Sequence, residues 1–114
     1  MSSITTRVLD TTQGRPVRGM PVALELQLGS GRWKLMATGI TDADGRCRDL
    51  IDRETVLAPS VYRLTFDAAG HFKAAHVEAL LPFVQVAFEV KNPSQPYHVT
   101  LLLSPHGYTM YSGT

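Results

Sequence analysis

The feature that most constrains the fold is a two-residue alternation of apolar and polar side chains in short windows. The clearest windows are residues 22–28, 62–67, 84–90 and 97–103. Successive side chains of a β-strand point to opposite faces, so each window predicts a strand with one face on a core. In the last window Val99 and Leu101 would face the core, while His98, Thr100 and Leu102 would face outward.

Turn-forming segments separate these windows and set the fold class. Gly, Pro, Asn or Asp residues cluster in segments 13–16, 29–31, 42–45 and 92–94. Weaker strand candidates are residues 5–10, 33–41 and 108–112, and only residues 72–80 have helical character. About eight short strands with such turns predict an all-β, two-sheet antiparallel β-sandwich with one short helix.

Composition limits the classes of function. A chain of 114 residues that is 44% hydrophobic and 18% charged predicts one folded domain, residues 1–114. The net charge of +1 argues against nucleic-acid or membrane-surface partners recruited by bulk charge. The first ten residues lack the apolar core of a signal peptide, and the nearly uncharged run 79–88 is too short to span a bilayer. We therefore expect a cytoplasmic protein.

The sequence offers no convincing metal or cofactor motif. A single cysteine, Cys47, excludes an internal disulfide and a multi-cysteine metal site. His71 and His76 lack a third ligand, and the segment 42–45 begins like a calcium loop but lacks its later ligands. Arg46 and Arg48 flank Cys47 and would lower its pKa, although we favour an inert thiol. We expect no metal and no cofactor.

Two residues are the best candidates for chemistry. Imidazole is the natural general base near neutral pH, so an outward His98 could activate a nucleophile, although a solvent-facing strand histidine fits the pattern equally well. Arg46 follows an Asp-Gly turn, where its forked donors could hold an anionic or carbonyl-rich ligand. From the pattern alone, an exposed turn arginine is the simpler interpretation.

Longer segments carry a resemblance to a known family. Residues 7–16, Arg-Val-Leu-Asp-Thr-Thr-Gln-Gly-Arg-Pro, resemble the opening signature of the 5-hydroxyisourate hydrolase family, the transthyretin-related proteins. Residues 97–108 resemble its C-terminal signature, and residues 41–46 and 62–67 match its middle. The chain ends in Tyr-Ser-Gly-Thr where the family has Tyr-Arg-Gly-Ser. The resemblance covers nearly the whole chain, in order.

The resemblance implies a transthyretin-like fold and an assembly. The family has two four-stranded sheets, one short helix, and a homotetramer built as a dimer of dimers. The strands that carry Arg7 and His98 would line a channel at the dimer–dimer interface. Strand parity agrees, because it places Thr5, Arg7 and Leu9 on the outward face of the first strand.

The resemblance also implies an activity. Family members hydrolyse 5-hydroxyisourate to 2-oxo-4-hydroxy-4-carboxy-5-ureidoimidazoline in urate catabolism, without a metal or organic cofactor. By position, the implied catalytic residues are His98, Arg46 and Thr114, and the implied substrate-binding residues are Arg7, Arg46, Tyr111 and Ser112.

Three of these positions depart from the family pattern. Arg7 stands where the family has its first histidine, and Ser112 and Thr114 replace the arginine and serine of the tetrapeptide. Arginine stays protonated and cannot act as a base, but it can polarise a carbonyl and lower the pKa of His98. We expect a weakened, one-histidine hydrolase in which the Thr114 hydroxyl helps to orient the substrate.

Two alternatives follow from the same departures. The scaffold could catalyse another reaction on a small heteroaromatic or amine substrate, since His98 is retained. It could also be a non-enzymatic binder of small molecules, because transthyretin has a lysine in place of Arg7 and lacks the hydrolase activity.

Overall fold

The computed structural model describes residues 3–51 and 54–113. These residues form nine strands and one helix. In chain order they are β1 (Ser3–Asp10), β2 (Arg15–Pro16), β3 (Pro21–Gln27), β4 (Trp33–Ile40), β5 (Arg46–Cys47), β6 (Ser60–Phe66), α1 (Ala69–Ala74), β7 (Val84–Val90), β8 (Pro96–Ser104) and β9 (Gly107–Ser112). In the described part of the chain, no helix has the length and hydropathy needed to cross a membrane.

The strands form two sheets that enclose one core, which confirms the predicted β-sandwich. One sheet has the order β2-β1-β8-β9, with the short β5 also paired to β1, and the other has the order β4-β3-β6-β7. Side chains from both sheets meet between them. Fully buried members are Val8, Leu24, Tyr62, Leu64, Phe66, Leu101 and Leu103. Burial of this apolar surface is the main force that holds the sheets together.

The predicted alternation is present along β1, but along β8 it is interrupted at Thr100, which was predicted to face outward and is buried. Along β1 every second side chain is buried, and Thr5, Arg7 and Leu9 lie half-buried on the outer face. Along β8, Val99 and Leu101 enter the core. The outer face of this sheet therefore combines β1 and β8, as their parity predicts.

One ladder differs from the antiparallel arrangement that the sequence predicts. β1 and β8 run parallel, so that Thr5 lies beside His98 and Arg7 beside Thr100, whereas the other ladders are antiparallel. A parallel pair of strands needs a long connection between them. Thr5 and His98 are 93 positions apart, and the intervening chain, which contains the whole second sheet, provides that connection. No crossover helix is required.

The helix begins and ends earlier than predicted. Instead of residues 72–80, it spans Ala69–Ala74. His76 has a φ of 55°. The N–H of His76 binds the Lys73 carbonyl at 3.1 Å, and the N–H of Val77 binds the Phe72 carbonyl at 3.0 Å. These two bonds form a Schellman motif, which ends the helix with a left-handed residue.

Candidate functional site

A cavity of about 400 Å³ opens on the outer face of the β1–β8 sheet. Its lining residues are Thr5, Thr6, Arg46, Arg48, Pro96, His98, Ser112 and Gly113. The structure thus brings together three of the predicted site residues, Arg46, His98 and Ser112. They come from three separate parts of the sequence, which the β1–β5, β1–β8 and β8–β9 ladders join.

A tight turn positions Arg46 at this cavity. The Asp42 carboxylate accepts hydrogen bonds from the N–H groups of Asp44 and Arg46, at 2.9 and 3.0 Å. Gly45 has a φ of 76°, and a Cβ there would collide with the Val8 carbonyl oxygen. Glycine is therefore required for the turn to lie flat on β1. The segment that begins like a calcium loop works as a turn, and β5 follows it directly.

The guanidinium of Arg7 is a neighbour of the cavity rather than part of its lining. Arg7 pairs with Arg46 across the β1–β5 ladder. Its Nε donates to the Asp44 carbonyl at 3.3 Å. Two cations therefore lie side by side at one edge of the site.

The two ring nitrogens of His98 differ in their hydrogen-bond partners among the described residues. Its Nδ1 lies 2.6 Å from the hydroxyl oxygen of Thr5, within hydrogen-bonding distance. Its Nε2 is buried and has no hydrogen-bond partner among the described residues. Burial, followed by the positive charges of Arg46 and Arg7, lowers the pKa of His98 below its ordinary value. The imidazole is therefore neutral near pH 7 and can accept a proton.

Hydrogen bonds hold the end of the chain beside His98. The N–H of Gly113 donates to the His98 carbonyl at 2.8 Å, and the Thr100 hydroxyl donates to the Gly113 carbonyl at 2.7 Å. These bonds place Ser112 in the cavity lining. Tyr111 pairs with Thr100 on the same outer face and is 42% exposed, but it does not line the cavity. Thr114 lies outside the described residues.

Among the residues that the structure describes, the charged side chains that line the cavity are all cationic. Arg46 and Arg48 line it, and neither forms an ion pair within residues 3–51 and 54–113. The Arg46 N–H hydrogen bond and, more weakly, the charges of Arg48 and Arg46 lower the pKa of Asp42, so one carboxylate lies near them. Guanidinium groups that form no ion pair still favour an anionic ligand or a group that becomes negative during reaction.

The prediction that neighbouring arginines lower the pKa of Cys47 is wrong. The thiol is only 4% exposed. Burial raises the pKa of Cys47 above its ordinary value and keeps it protonated. Its side chain packs in the core, as expected for an inert thiol.

Five lining residues were not predicted as site residues: Thr5, Thr6, Arg48, Pro96 and Gly113. Thr5 was placed on the outer face, but its contact with His98 depends on the parallel register of β1 and β8. Arg48 has the same parity as Arg46 and could have been found from it, but β5 is only two residues long. So short a strand carries no alternation to detect.

Comparisons with known proteins agree with this architecture. Residues 4–113 match the model of the HIUase/Transthyretin family. A 5-hydroxyisourate hydrolase of Mus musculus is 38% identical, over 99% of this chain and 96% of the relative. That of Caulobacter vibrioides is also 38% identical, over the full length of both chains.

Solved structures of the two kinds of family member are similar to this one. Transthyretin from Sparus aurata superimposes with a TM-score of 0.91 at 26% identity, over 99% of this chain and 97% of that one. The 5-hydroxyisourate hydrolase of Klebsiella pneumoniae gives a TM-score of 0.85 at 27% identity, over the full length of both chains. On the family model, the full-length relatives and these structures, the chain belongs to the HIUase/Transthyretin family.

Proposed function

We propose that this chain hydrolyses 5-hydroxyisourate to 2-oxo-4-hydroxy-4-carboxy-5-ureidoimidazoline, a step of urate catabolism. The observation that carries the proposal is the buried Nε2 of a neutral His98, which has no partner among residues 3–51 and 54–113, in a cavity that Arg46 also lines. Both residues stand where the family has catalytic residues. Full-length relatives named 5-hydroxyisourate hydrolase support the same substrate.

The geometry supports a direct hydrolytic route. His98 takes a proton from a water molecule as its oxygen attacks the ring carbonyl carbon of the substrate. The guanidinium of Arg46, which lines the cavity, stabilises the oxyanion that forms, and Arg7 adds positive charge from the cavity edge. Collapse of this intermediate breaks the ring C–N bond, and the protonated imidazole returns its proton to the departing nitrogen. The six-membered ring opens, with one water consumed and His98 regenerated.

Arg7 distinguishes this route from that of a two-histidine enzyme. A guanidinium has donors only and stays charged, so it cannot take a proton at pH 7. Loss of a cooperating general base costs a factor of roughly 10²–10⁴ in rate. Arg7 offsets part of that loss, because its charge helps to keep His98 neutral. We therefore propose a hydrolase with lowered turnover that needs no cofactor.

The C-terminal residues complete the proposed site. Ser112 lines the cavity, and we assign it to substrate binding. We assign Tyr111 to substrate contact through its exposed ring on the same face, and the Thr114 hydroxyl to orientation of the substrate. Ser112 replaces the arginine of the family tetrapeptide, so one cation is lost. We propose that Arg7 and Arg48 supply this positive charge instead.

We also propose the homotetramer of the family, with sites at the dimer–dimer interface. The outer face of the β1–β8 sheet supports it, because the half-buried Leu9 and Leu102 give it apolar surface beside the cavity. Light scattering after size-exclusion chromatography should give four times the monomer mass of 12.5 kDa. The cytoplasmic location stays a prediction.

The activity is tested with 5-hydroxyisourate made freshly by urate oxidase. Its ultraviolet absorbance should decay faster with the protein than without it, both with and without a metal chelator. Decay at the spontaneous rate over a wide range of protein concentrations would exclude the proposed hydrolase.

A non-enzymatic binder is the second candidate, favoured by the cationic cavity and by Arg7. Sea bream transthyretin in complex with thyroxine resembles this chain with a TM-score of 0.90 at 26% identity. In that case calorimetry should detect a planar aromatic anion bound to the cavity, Arg46→Ala should abolish binding, and no turnover should be seen.

The third candidate is a different reaction on a small heteroaromatic or amine substrate, favoured because His98 is retained while neighbouring site residues are replaced. Turnover of such compounds, but not of 5-hydroxyisourate, and its loss in His98→Ala would support this candidate.

A further inference from the structure

We propose that Thr5 is a positioning residue that holds His98 in the tautomer with its proton on Nδ1. In this tautomer the Nδ1–H donates to the Thr5 hydroxyl oxygen, and Nε2 presents a lone pair for the proton of water. The inference rests on the proposed function for its catalytic consequence, but its structural content stands on the contacts of the ring.

The first support is the fixed geometry of the pair. Thr5 and His98 are directly opposite in the parallel ladder, and Thr5 Oγ1 lies 2.6 Å from Nδ1. Threonine is β-branched, so its side chain has few rotamers on a strand. The hydroxyl is therefore held against Nδ1 by two strands rather than by a mobile loop.

The second support is the chemistry around the other ring nitrogen. Nε2 is buried and unpartnered among the described residues. The charged residues that line the cavity, Arg46 and Arg48, carry donors only. An Nε2–H would be a buried donor facing cations, whereas a lone pair at Nε2 is stabilised by them.

The third support is the neutrality of the partner. A carboxylate at Nδ1 would stabilise the imidazolium form and raise the pKa of the ring. The hydroxyl of Thr5 fixes the tautomer without adding a negative charge. His98 is thereby oriented and still free to be neutral beside two arginines, as a general base requires.

The test combines ring spectroscopy with kinetics in Thr5→Val and Thr5→Ser. Valine keeps the shape and β-branching of threonine but removes the hydroxyl, and serine restores the hydroxyl. Thr11→Val is the matched control, since the Thr11 hydroxyl bonds the Leu103 carbonyl on the same β1–β8 seam at 3.3 Å, away from His98.

Long-range proton–nitrogen correlation spectra of nitrogen-15-labelled histidine report which ring nitrogen carries the proton. For the His98 ring at neutral pH we expect a protonated Nδ1 and an unprotonated Nε2 in the wild-type protein. The fraction of His98 with a proton on Nδ1 should fall in Thr5→Val and recover in Thr5→Ser. The kcat should fall roughly tenfold in Thr5→Val, with a smaller change in KM, because one hydrogen bond is lost. Thr11→Val should leave the ring signals and kcat unchanged.

Two results would overturn the inference: a His98 ring protonated on Nε2 in the wild-type protein, or His98 ring signals that are unchanged in Thr5→Val. The spectra need no substrate. If the protein fails to accelerate 5-hydroxyisourate decay while the ring keeps the expected tautomer, the proposed function fails and the role of Thr5 stands.

Discussion

Two half-buried histidines on opposite sides of β1 have opposite surroundings. The His71 Nε2 lies 2.7 Å from the Asp10 carboxylate, and the side chains are 16% and 3% exposed. His98 instead meets a neutral hydroxyl and two arginines, and its Nε2 has no described partner. One histidine is held by a buried anion and the other by a group without charge.

The Asp10–His71 pair is part of the framework. The other carboxylate oxygen of Asp10 accepts the N–H groups of Thr12 and Gln13, both at 2.9 Å. Burial by itself raises the pKa of Asp10, but the hydrogen bonds from His71 and these N–H groups outweigh it and lower the pKa below its ordinary value. The pair thus ties α1 to the end of β1. In this chain the histidine with the buried carboxylate partner stabilises the fold, whereas the histidine with the neutral partner lines the cavity.

Removal of the His98 imidazole should have the largest effect on activity. His98→Asn should lower kcat by about 10²–10⁴-fold, because no other described residue of the cavity can act as a base near pH 7. The free energy of unfolding should stay within about 1 kcal/mol of the wild-type value. Initial-rate kinetics and urea unfolding check the two parts.

The exposed His106 offers the matched control for this variant. His106→Asn should change neither the rate nor the stability. Equal loss of rate in both variants would show that histidine content, rather than the position of His98, matters to the assay.

Removal of the buried carboxylate should have the reverse effect. Asp10→Ala leaves His71 and the N–H groups of Thr12 and Gln13 without their acceptor. The free energy of unfolding should fall by about 2–3 kcal/mol, measured by urea denaturation. Asp67→Ala, at an exposed carboxylate beyond β6, should cost less than about 0.5 kcal/mol.

The pH dependence of this stability identifies its origin. Because the folded pKa of Asp10 is lowered, its contribution is present above the unfolded pKa of about 3.9 and is lost as pH falls through the folded value. The difference between the wild-type protein and Asp10→Ala should therefore shrink in acid below about pH 4. A difference that stays constant with pH would contradict a carboxylate origin.

The two histidines also show how far the sequence could predict this molecule. Alternation predicted the sandwich and the outward face of β8, because side-chain parity is a local property of a strand. It placed His98 correctly on the outer face. It did not predict the Thr5 contact, because strand register between residues 93 positions apart is decided by packing of the whole fold.

The framework histidine was harder still to interpret. The sequence indicated only a poor metal site for His71 and His76, and it placed His71 just before the predicted helix of residues 72–80. Its true partner, Asp10, lies 61 positions away. Neither spacing nor composition encodes that contact, and the end of the helix depends on a left-handed His76 that no propensity predicts.

Exchange of Arg7 for the family residue should sharpen the role of His98. Arg7→His would give the site a second group able to accept a proton, and kcat should rise by about tenfold or more. Arg7→Lys keeps the charge but supplies no base at neutral pH, so its rate should not exceed that of the wild-type protein. If the kcat of Arg7→His does not exceed that of Arg7→Lys, the absence of a second base does not limit the rate of this enzyme.

The smallest expected effect concerns the pH profile. Burial, Arg46 and Arg7 together lower the pKa of His98 from its ordinary 6.5, so the wild-type rate should persist below pH 6.5 and fall only as His98 becomes protonated. In Arg7→Gln one of the two cations is gone, so the acid limb should move to higher pH but stay below 6.5, because burial and Arg46 remain. Arg18→Gln removes an exposed charge remote from the cavity and should leave the profile unchanged. An acid limb that stays in place in Arg7→Gln, or moves equally in both variants, would mean that the charge of Arg7 does not help to keep His98 neutral, and the lowered pKa would then rest on burial and Arg46.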